Sequence, residues 1–490
     1  MEFTLNPTSI EDYKLFLKIK SLPAWSIQGR LATVPDEYAA ALTETAVTEQ
    51  PKEIAAHPQA FDYQRDITEL AIRKKQFAVF ADCGLGKTLI EISFAVHALH
   101  ATGKRILILT PPLVIDQMLG EAAKFYPGEQ FERVKASELD EWLSSDKPGI
   151  GITNYEALKR DTPRGNLAGL VLDESSILKS HYGQYATICL RLGKGVEWKL
   201  CATGTPAPND RIEYANHAVF LDRFPTVNSF LAKYFVNRGQ TDNRWELKPH
   251  ALRPFYRSLS DWCIFLTNPA TYGWKDNCGT LPPINTHIHD VPLTRQQKQW
   301  VNRELGQLIA TRAGGITARA SYGQVSKGHY KGQDFETNKP GYIADLVNGW
   351  RANDATLLWC IYDHEQKLIH DAVGGDSLDG KTPLANRRDA IQRFQSGETD
   401  ALTSKSRILG FGLNLQKATR QVFSGLQDSY ESYYQCVKRS NRIGSTKPLN
   451  VHIPVTELEY PMVDNVIRKS DRVEQDTREQ EEMFAAAKVL

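Results

Sequence analysis

The chain has 490 residues, more than one hydrophobic core usually supports, and this length predicts two or three domains. Hydrophobic residues make up 41% and charged residues 24%, which is ordinary for globular proteins, and no apolar run approaches the roughly 18 residues needed to cross a bilayer. A net charge of +1 lacks the basic excess of many nucleic-acid-binding proteins, so any such binding requires locally segregated charge.

The seven cysteines include no CxxC pair, a pattern that favours reduced thiols over disulfides or zinc ligands. The start of the chain lacks the basic-then-apolar layout of a signal peptide. Together these features predict a cytoplasmic location and no membrane partner. Residues 1–56 are predicted to form a short N-terminal helical segment, to which we assign no chemistry.

Residues 57–285 alternate short apolar strands with loops and helices, which predicts a parallel sheet covered by helices on both faces. An insertion near residues 210–265 interrupts this pattern and is rich in aromatic residues and predicted helices. The predicted strands of the sheet are Phe77–Phe80, Arg105–Thr110, Gly149–Thr153, Gly169–Asp173 and Trp198–Thr203.

A glycine-containing loop, Ala81-Asp-Cys-Gly-Leu-Gly-Lys-Thr88, joins the first of these strands to a helix. Such a turn aims several backbone N–H groups at one point, where the helix N-terminus adds partial positive charge, so an anion binds there. Lys87 adds a full charge for the β- and γ-phosphates, and the Thr88 hydroxyl is a ligand for Mg²⁺. The loop therefore predicts an ATP site that uses Mg²⁺.

Two adjacent carboxylates, Asp173 and Glu174, follow the fourth predicted strand. Carboxylates at the carboxyl end of a parallel strand face the crevice in which such sheets bind ligands. Asp173 is placed to hold the Mg²⁺ shell, and Glu174 to orient or deprotonate the attacking water. An acidic pair alone is weakly informative, but its place on the same predicted sheet as the phosphate loop makes it a predicted catalytic pair.

Residues 286–345 are a predicted helical and basic insertion between two α/β regions. It opens with an alternating strand, on which the two-residue period explains His287 and His289 better than metal binding does. Within it, residues 311–333 contain basic side chains and tyrosines but no acidic residue. A DNA-contacting loop and a flexible linker between lobes explain that composition equally well.

A second α/β region covers residues 346–456, from the apolar strand Thr356–Ile361 to the strand Leu449–Val455. A helical tail, residues 457–490, follows it. The predicted fold class is therefore α/β, with two parallel-sheet lobes, helical insertions and the N-terminal helical segment.

The segment Gln435–Gly444 predicts a helix on which Gln435, Arg439 and Arg442 share one face. Arg442 is the predicted arginine finger, a residue that typically contributes roughly 10³–10⁵ in rate. Because it belongs to the second α/β region, hydrolysis of ATP would depend on closure of the two regions.

The motifs resemble, in complete order from about residue 60 to residue 455, those of superfamily-two helicases and among them the Swi/Snf-type ATPases. In the first region the motifs are Phe61–Gln64, Asp82–Thr88, Thr110–Pro112, Thr153–Tyr155, Asp173–Lys179 and Thr203–Asn209. In the second region they are Asp379–Gly380, the Arg388–Phe394 helix, Gly410–Leu415 and Gln435–Gly444.

The resemblance implies two RecA-like lobes that hydrolyse ATP between them. It is consistent with Lys87, Asp173, Glu174 and Arg442 as the catalytic residues and with Thr88 and Asp173 as the ligands of Mg²⁺. The other ATP-binding positions that it implies are Gln64, which reads the adenine, Gly84, Gly86, Gly412, Gln435 and Arg439.

The resemblance also implies a motor that translocates along double-stranded DNA and remodels DNA or protein–DNA complexes, without itself implying strand separation. Thr110, Asn154 and Ser404 lie in motifs that face nucleic acid in similar proteins, although each is also an ordinary polar residue at a strand end. Protein partners would supply targeting, because the motor is generic. The chain has little room for reader domains, which fits a compact bacterial or viral member, acting in a bacterial cell or a virus-infected host.

Three departures from the family pattern bear on these expectations. Ser175-Ser176 replaces a small residue and a histidine, which puts the expected link between the nucleotide and the third motif in question. Leu409 stands where a glycine is usual, and Ser445 where a glutamine is usual. None of them removes a predicted catalytic residue, so we expect an active ATPase.

Three alternatives stay open at this point. The chain could be a strand-separating DNA helicase, or the motor subunit of a restriction or defence complex whose nuclease is another chain. It could also be a nucleotide-gated DNA clamp that hydrolyses ATP weakly. Unwinding would identify the first, and DNA retention without phosphate release would identify the last.

Overall fold

The computed structural model describes residues 1–39, 42, 56–180, 183–239, 245–276, 281–305, 316–350, 355–409, 415–427, 429–442 and 444–487. The chain divides into two units. Unit 1 contains residues 1–277 and 476–490, and unit 2 contains residues 278–475. Each unit is built on a parallel β-sheet with helices around it, so the predicted α/β class is confirmed.

The N-terminal segment, for which the sequence predicts helix alone, contains one longer helix, three short strands and one helical turn. They are β1 (Glu2–Thr4), α1 (Ile10–Lys20), β2 (Ser26–Gln28), β3 (Leu31–Thr33) and α2 (Asp36–Ala39). The strands pair antiparallel in the order β1-β3-β2. Three-residue strands are too short to display an alternating pattern, which is why the sequence does not reveal them. The segment has its own core, formed by Leu5, Ile19, Leu22, Ala32 and Val34.

The rest of unit 1 alternates strands and helices. The strands are β4 (Gln76–Ala81), β5 (Arg105–Leu109), β6 (Phe131–Arg133), β7 (Gly149–Thr153), β8 (Leu167–Asp173), β9 (Trp198–Ala202), β10 (Phe235–Asn237), β11 (Trp245–Leu247) and β12 (Cys263–Leu266). The helices are α3 (Asp62–Lys74), α4 (Lys87–Thr102), α5 (Ile115–Phe125), α6 (Leu139–Ser144), α7 (Gln184–Gly193), α8 (Tyr214–Phe220), α9 (Val227–Tyr234) and α10 (Leu252–Leu259).

Seven strands of unit 1 form one sheet in the order β12-β4-β9-β8-β5-β7-β6, and every pairing in it is parallel. All residues of β5 and β9 are buried, as expected for strands covered by helices on both faces. Because the strands run parallel, the carboxyl ends of β4, β5, β8 and β9 meet at one edge. The predicted motifs of the first region therefore lie together.

The N-terminal segment is attached to the sheet through a network around Asp261, just before β12. Tyr38 donates a hydrogen bond to Asp261 at 2.8 Å, and Lys74 forms ion pairs with Asp261 at 2.9 Å and with Glu37 at 2.6 Å. Burial alone would raise the pKa of Asp261, but Lys74 and Arg223 lower it below its usual value. The paired, ionised carboxylate fixes the segment to unit 1.

Unit 2 contains the remaining strands and helices. The strands are β13 (Ile284–Asp290), β14 (His329–Tyr330), β15 (Gln333–Asp334), β16 (Thr356–Cys360), β17 (Asp376–Leu378), β18 (Ala401–Lys405), β19 (Arg420–Phe423) and β20 (Leu449–Val455). The helices are α11 (Arg295–Trp300), α12 (Ile316–Ser326), α13 (Lys339–Asn348), α14 (Asp363–Val373), α15 (Leu384–Ser396), α16 (Ser406–Leu409), α17 (Tyr430–Ser440) and α18 (Tyr460–Ala487), of which the part beyond residue 475 belongs to unit 1.

Six strands of unit 2 form a second parallel sheet in the order β13-β20-β19-β16-β18-β17. The predicted strand with two histidines is its edge strand, β13, where His289 shares a hydrogen bond with His452 of β20 at 2.9 Å. No group of three or more His, Cys, Asp or Glu side chains in the described part of the chain is arranged to hold a metal ion. The same part contains no helix long and apolar enough to cross a membrane.

The described part of the basic stretch, residues 316–333, contains α12 and the β14–β15 hairpin. Lys327 is one of the basic residues of this stretch. Its side chain is buried and its ammonium group forms an ion pair with Glu459 at 2.5 Å. Lys339 binds the other oxygen of Glu459, also at 2.5 Å. The charge of Lys327 is therefore neutralised inside unit 2 by a carboxylate that is distant in sequence.

Candidate active site

The phosphate loop connects β4 to α4 in a conformation that requires glycine at two positions. Gly84 has φ +91° and Gly86 has φ +67°, both in the left-handed region that side chains with a Cβ disfavour. A Cβ at Gly86 would also lie 2.1 Å from the Gln64 amide nitrogen. Substitution of Gly86 by any residue with a Cβ would therefore both strain the backbone and displace the Gln64 side chain.

Lys87 begins α4 with its ammonium group over the loop. It donates to the carbonyl oxygens of Ala81 at 2.9 Å and of Asp82 at 3.3 Å. Thr88 follows it in the first turn of the helix and is half-buried. The loop thus holds its cation and its hydroxyl at a helix N-terminus, the arrangement that binds phosphate groups.

Gln64, from the start of α3, lies against this loop, and its role in reading the adenine stays a prediction. Its side-chain oxygen accepts a hydrogen bond from Phe61 N at 2.9 Å, and its amide nitrogen donates to Leu85 O at 3.3 Å. Tyr63 donates to the same carbonyl at 3.1 Å and its ring lies 6.3 Å from that of Trp274. Buried Tyr63 and half-buried Trp274 therefore place aromatic rings next to Gln64, the predicted adenine-reading residue.

Asp173, the last residue of β8, is a buried carboxylate beside Lys87. Burial and the neighbouring Glu174 raise its pKa to about 6, against the opposing effects of the Thr110 hydrogen bond and of Lys87. Thr110 donates to Asp173 Oδ2 at 2.6 Å, and Tyr155 donates to its backbone carbonyl at 2.6 Å. The hydrogen bonds hold the Asp173 side chain in one orientation, but they and Lys87 balance its negative charge only in part.

A further carboxyl group that sequence reasoning missed, Glu91, stands one turn after Lys87 on α4. It is only 1% exposed, and neither oxygen meets hydrogen-bond geometry with a described group. Burial and the nearby Asp173 raise its pKa well above its usual value. The signal in the sequence is that α4 is apolar on all sides. Such helices are buried, so a glutamate within one is expected to be buried as well.

Glu174 has φ +51°, an uncommon backbone conformation for a residue with a side chain. Thr203, at the end of β9, donates to Glu174 Oε2 at 3.4 Å and accepts a hydrogen bond from Thr205 N at 3.1 Å. The third motif therefore contacts the predicted catalytic glutamate directly. The effect of the Ser175-Ser176 departure on a link between the nucleotide and the third motif stays a prediction.

Ser175 itself connects the site to α8. Its hydroxyl shares a hydrogen bond with His217 Nε2 at 3.1 Å, and both side chains are buried. Burial lowers the pKa of His217 to about 4, so the imidazole is neutral at pH 7. His217 is a second residue that the sequence did not single out, because a histidine on a short helix carries no distinctive pattern.

The donor set fits Mg²⁺ with a nucleotide. Mg²⁺ prefers oxygen ligands and takes one or two from the protein, completing its shell with phosphates and water. Thr88 and Asp173 offer a hydroxyl and a carboxylate oxygen at the edge where Lys87 lies. The buried carboxyl groups of Asp173 and Glu91 have little positive charge around them, which a bound cation would supply.

The three predicted nucleic-acid residues differ in access. Thr110 is buried with its hydroxyl on Asp173, and the buried Ser404 donates to Leu378 O at 2.8 Å. Asn154 is half-buried and accepts a hydrogen bond from Ala157 N at 2.9 Å as a cap of a short helical turn. The hydroxyls of Thr110 and Ser404 thus bond within their units, and Asn154 alone of the three lies partly at the surface.

The predicted ATP-binding helix of unit 2 is shorter than expected. It ends at Ser440, so Gln435 and Arg439 lie on it, but Arg442 lies in the following turn. Beyond the last turn, the carbonyl of Ser440 accepts from the Ser445 hydroxyl at 2.7 Å, and the side-chain amide of Asn441 donates to Pro282 O at 2.8 Å, so the chain continues in a turn fixed by these bonds. The predicted common helical face of the three residues is therefore wrong.

Arg442 is half-buried in this turn, and its backbone is fixed on both sides. Its N–H donates to Ser445 Oγ at 3.3 Å, and its carbonyl accepts from Gln416 at 3.3 Å. The serine that departs from the family pattern thus shapes the turn that carries the predicted finger. Gly412 lies outside the described residues.

The chain matches the family model of the SNF2-related domain over residues 73–422. It is similar to the "DNA annealing helicase and endonuclease ZRANB3" of Bos taurus (24% identity over 420 residues) and of Mus musculus (22% over 419 residues). Each alignment covers 80% of this chain and 38% of the relative, so the chain spans less than two fifths of their length. A shorter similarity, 29% identity over 96 residues, links 19% of this chain to 5% of "Helicase SWR1" of Mycosarcoma maydis.

Among solved structures, the chain is similar to the "Sulfolobus solfataricus SWI2/SNF2 ATPase core in complex with dsDNA". The identity is 19%, the TM-score is 0.41, and the similarity covers 88% of this chain and 95% of the other.

Proposed function

The chain belongs to the SNF2-related family of helicase-type ATPases, and on that premise we propose that it is an ATP-driven motor that translocates along double-stranded DNA and remodels DNA or protein–DNA complexes. The observation that carries this proposal is the buried carboxyl group of Asp173, held beside Lys87 at the end of the phosphate loop. A buried, partly uncompensated carboxylate is costly unless a ligand uses it.

In the proposed mechanism each residue of unit 1 acts on one part of the nucleotide. Lys87 binds the β- and γ-phosphates, and the loop N–H groups orient them. Glu174, held by Thr203, orients the attacking water and accepts its proton. Thr88 and Asp173 would hold Mg²⁺, which neutralises phosphate charge when bound.

Arg442 of unit 2 completes the site in this proposal by stabilising the charge that develops on the transferred phosphate. An arginine in such a role is worth roughly 10³–10⁵ in rate, about 4–7 kcal/mol of barrier. Because unit 2 supplies it, hydrolysis requires closure, and closure coupled to hydrolysis is what moves a motor along its track. Gln435 and Arg439 belong to the same proposed surface.

ATPase assays with duplex DNA, single-stranded DNA, RNA and no nucleic acid test this function, alongside triplex displacement and duplex unwinding. The proposal expects stimulation by duplex and displacement of the third strand without unwinding. Lys87→Ala, which removes the phosphate-binding charge, is the negative control. Failure of duplex DNA to stimulate the wild-type chain, at any salt concentration that permits binding, would contradict the proposal.

The same assays separate the alternatives. Unwinding of a duplex would support a strand-separating helicase, and ATP-dependent retention on DNA with negligible phosphate release would support a clamp. The contact between Glu174 and Thr203 favours turnover over a clamp. The proposed partners are duplex DNA and targeting proteins, which could include the nuclease of a restriction or defence complex, and the proposed location is the cytoplasm.

A further inference from the structure

A group of basic side chains with no carboxylate partner among the described residues lies where the N-terminal segment meets α9 and α10 in unit 1. We call it the basic cluster and define it as Lys20, Lys233, Lys248 and Arg257, with Trp25 at its centre. Within the described part of the chain, these four cations contact aromatic rings and backbone carbonyls, and none of them forms an ion pair.

Aromatic rings hold two of the cations in place. The ammonium group of Lys20 lies 5.1 Å from the ring centre of Phe16 and 6.0 Å from that of Trp25. The ammonium group of Lys233 approaches the same indole to 6.0 Å and the ring of Phe224 to 5.3 Å. Such contacts orient a cation but leave its net charge in place. Both lysines are exposed to solvent.

Backbone carbonyls orient the other two members. Lys248 donates to the carbonyls of Ala232 at 2.7 Å and of Lys233 at 3.2 Å, and Arg257 donates to the carbonyl of Lys20 at 3.3 Å. These bonds connect the four cations into one surface. Gathering like charges is unfavourable unless an anion balances them.

Two basic residues near the basic cluster differ from its members, because they do form ion pairs. Lys74 and Arg223, on neighbouring elements, both form ion pairs with Asp261. The buried carboxylate of Asp261 therefore pairs with those two cations and with no member of the basic cluster among the described contacts. Arg253, one turn before Arg257 on α10, is exposed and adds a further positive charge to the same helix face.

The basic cluster is separate from the ATP site. Its residues precede β12 or belong to the N-terminal segment, which attaches through Lys74 and Asp261 at the amino ends of β4 and β12. The phosphate loop follows the carboxyl end of β4, a strand of six residues and therefore about 20 Å long. A ligand of the cluster would not occupy the nucleotide site.

We propose that the basic cluster is a second DNA-binding surface, which contacts the phosphate backbone of duplex DNA independently of ATP. Several cations that rings and carbonyls orient without neutralising suit the repeated phosphates of a nucleic acid better than one small anion. Phosphate contacts of this kind give affinity without sequence preference. The choice of duplex DNA as the polymer rests on the function proposed above.

The test compares the double substitution Lys20→Gln/Lys233→Gln with a matched control, Lys104→Gln/Lys124→Gln. Lys104 and Lys124 are exposed lysines of unit 1, and Lys124 makes an equivalent ring contact with Phe125 at 4.8 Å. Fluorescence anisotropy measures binding of a labelled duplex to the full chain without nucleotide, from 50 to 200 mM NaCl.

Loss of two phosphate contacts makes the slope of log K against log salt less steep by about 1.8. The variant should therefore lose about tenfold less affinity than the wild type over this fourfold salt range. The control should keep the wild-type slope. Equal slopes for the cluster variant and the wild type would overturn the proposal.

A second variant keeps the test valid if the double substitution disturbs the junction with the N-terminal segment. Arg253→Gln removes an exposed charge that forms no hydrogen bond or ion pair with a described residue, and it should reduce the slope by about 0.9 while the thermal midpoint stays unchanged. Poly-glutamate of matched charge serves as competitor. Competition as strong as that of unlabelled duplex would assign the surface to acidic polypeptides and overturn the DNA proposal.

ATPase measurements distinguish this inference from the proposed function. The cluster variant should keep the wild-type kcat at saturating duplex and need a higher duplex concentration for half-maximal stimulation. If duplex binds the wild type through the cluster but never stimulates hydrolysis, the motor proposal fails and the second surface stands. If duplex stimulates hydrolysis but the cluster variant binds and responds like the wild type, the second surface fails alone.

Discussion

Each unit buries charged side chains, but the two buried clusters are satisfied in different ways. In unit 1, the carboxyl groups of Asp173 and Glu91 are buried near Lys87, and their pKa values are raised. In unit 2, both oxygens of Glu459 are paired with buried lysines, and the pKa of this carboxyl group lies below its usual range. The first cluster lacks the positive charge that a ligand would bring, whereas the second is complete.

The comparison distinguishes a buried charge that is available to a ligand from a buried charge that stabilises the fold. Glu459 also accepts hydrogen bonds from Thr456, and Lys339 donates to the carbonyl of Ser424. Ser424 donates in turn to Glu365, so the unit 2 cluster extends as a hydrogen-bonded network. A buried charge without such partners marks a candidate site, because its cost has no structural compensation.

The largest effect is expected from removing Arg442, the cation that unit 2 is proposed to supply to the ATP site of unit 1. Arg442→Ala should lower kcat by roughly 10³–10⁵ while nucleotide binding persists, since the arginine acts on charge that develops during hydrolysis. Steady-state ATPase assays and binding of a fluorescent ATP analogue measure the two effects. Lys447→Ala, an exposed charge in the same loop, is the control, and an unchanged kcat would remove Arg442 from the site.

The second test breaks the complete cluster. Glu459→Gln leaves two buried ammonium groups without their carboxylate and should destabilise unit 2 by about 3–5 kcal/mol, as measured by urea unfolding. Replacement of Lys327, Lys339 and Glu459 together by methionine should recover most of that loss, because no buried charge is then stranded. Equal destabilisation by both variants would mean that the ion pairs are not the origin of the effect.

The third test uses pH, because the two clusters should respond with opposite signs. The pKa of Asp173 is raised from 3.8 to about 6, so the folded state binds more protons, and the stability of unit 1 should fall as pH rises through that window. Burial would raise the pKa of Glu459, but its lysines lower it below 4.5, so the stability of unit 2 should fall as pH drops below that value.

Hydrogen exchange followed by mass spectrometry reads both responses in the full chain, after correction for the intrinsic pH dependence of exchange. Peptides from β8 report on Asp173, and peptides from β20 and the start of α18 report on Glu459. Asp173→Asn should weaken the first response only, because Glu91 remains, and Glu459→Gln should abolish the second only. A common pH dependence in both peptide sets would contradict the comparison.

The smallest expected effect concerns the turn that carries Arg442. Ser445→Ala removes hydrogen bonds to Ser440 O and from Arg442 N, each worth about 1 kcal/mol. We expect kcat to fall by about tenfold, with little change in KM for ATP, because the arginine is less well positioned. Ser445→Thr retains the hydroxyl and should recover most of the rate, an outcome that a purely steric role would not produce.

Local features of the sequence were sufficient for much of this picture. The run from Ala81 to Thr88 specifies a phosphate loop because its glycines, lysine and threonine act within one turn, and short apolar runs specify buried parallel strands. Asp173 could be placed at the ligand-binding edge because the ends of parallel strands share that edge. The order of these motifs then indicated the family to which the chain belongs.

Other features depend on residues that are distant in sequence. Nothing near Glu91 or Lys327 indicates which carboxylate or ammonium group each will meet, and Lys327 lies 132 residues from Glu459. The turn after α17 likewise has a distant partner, because the side-chain amide of Asn441 donates to Pro282 O across 159 residues. Periodicity reports which face of an element is buried, whereas the partner of a buried charge is decided only when the chain has folded and brought distant segments together.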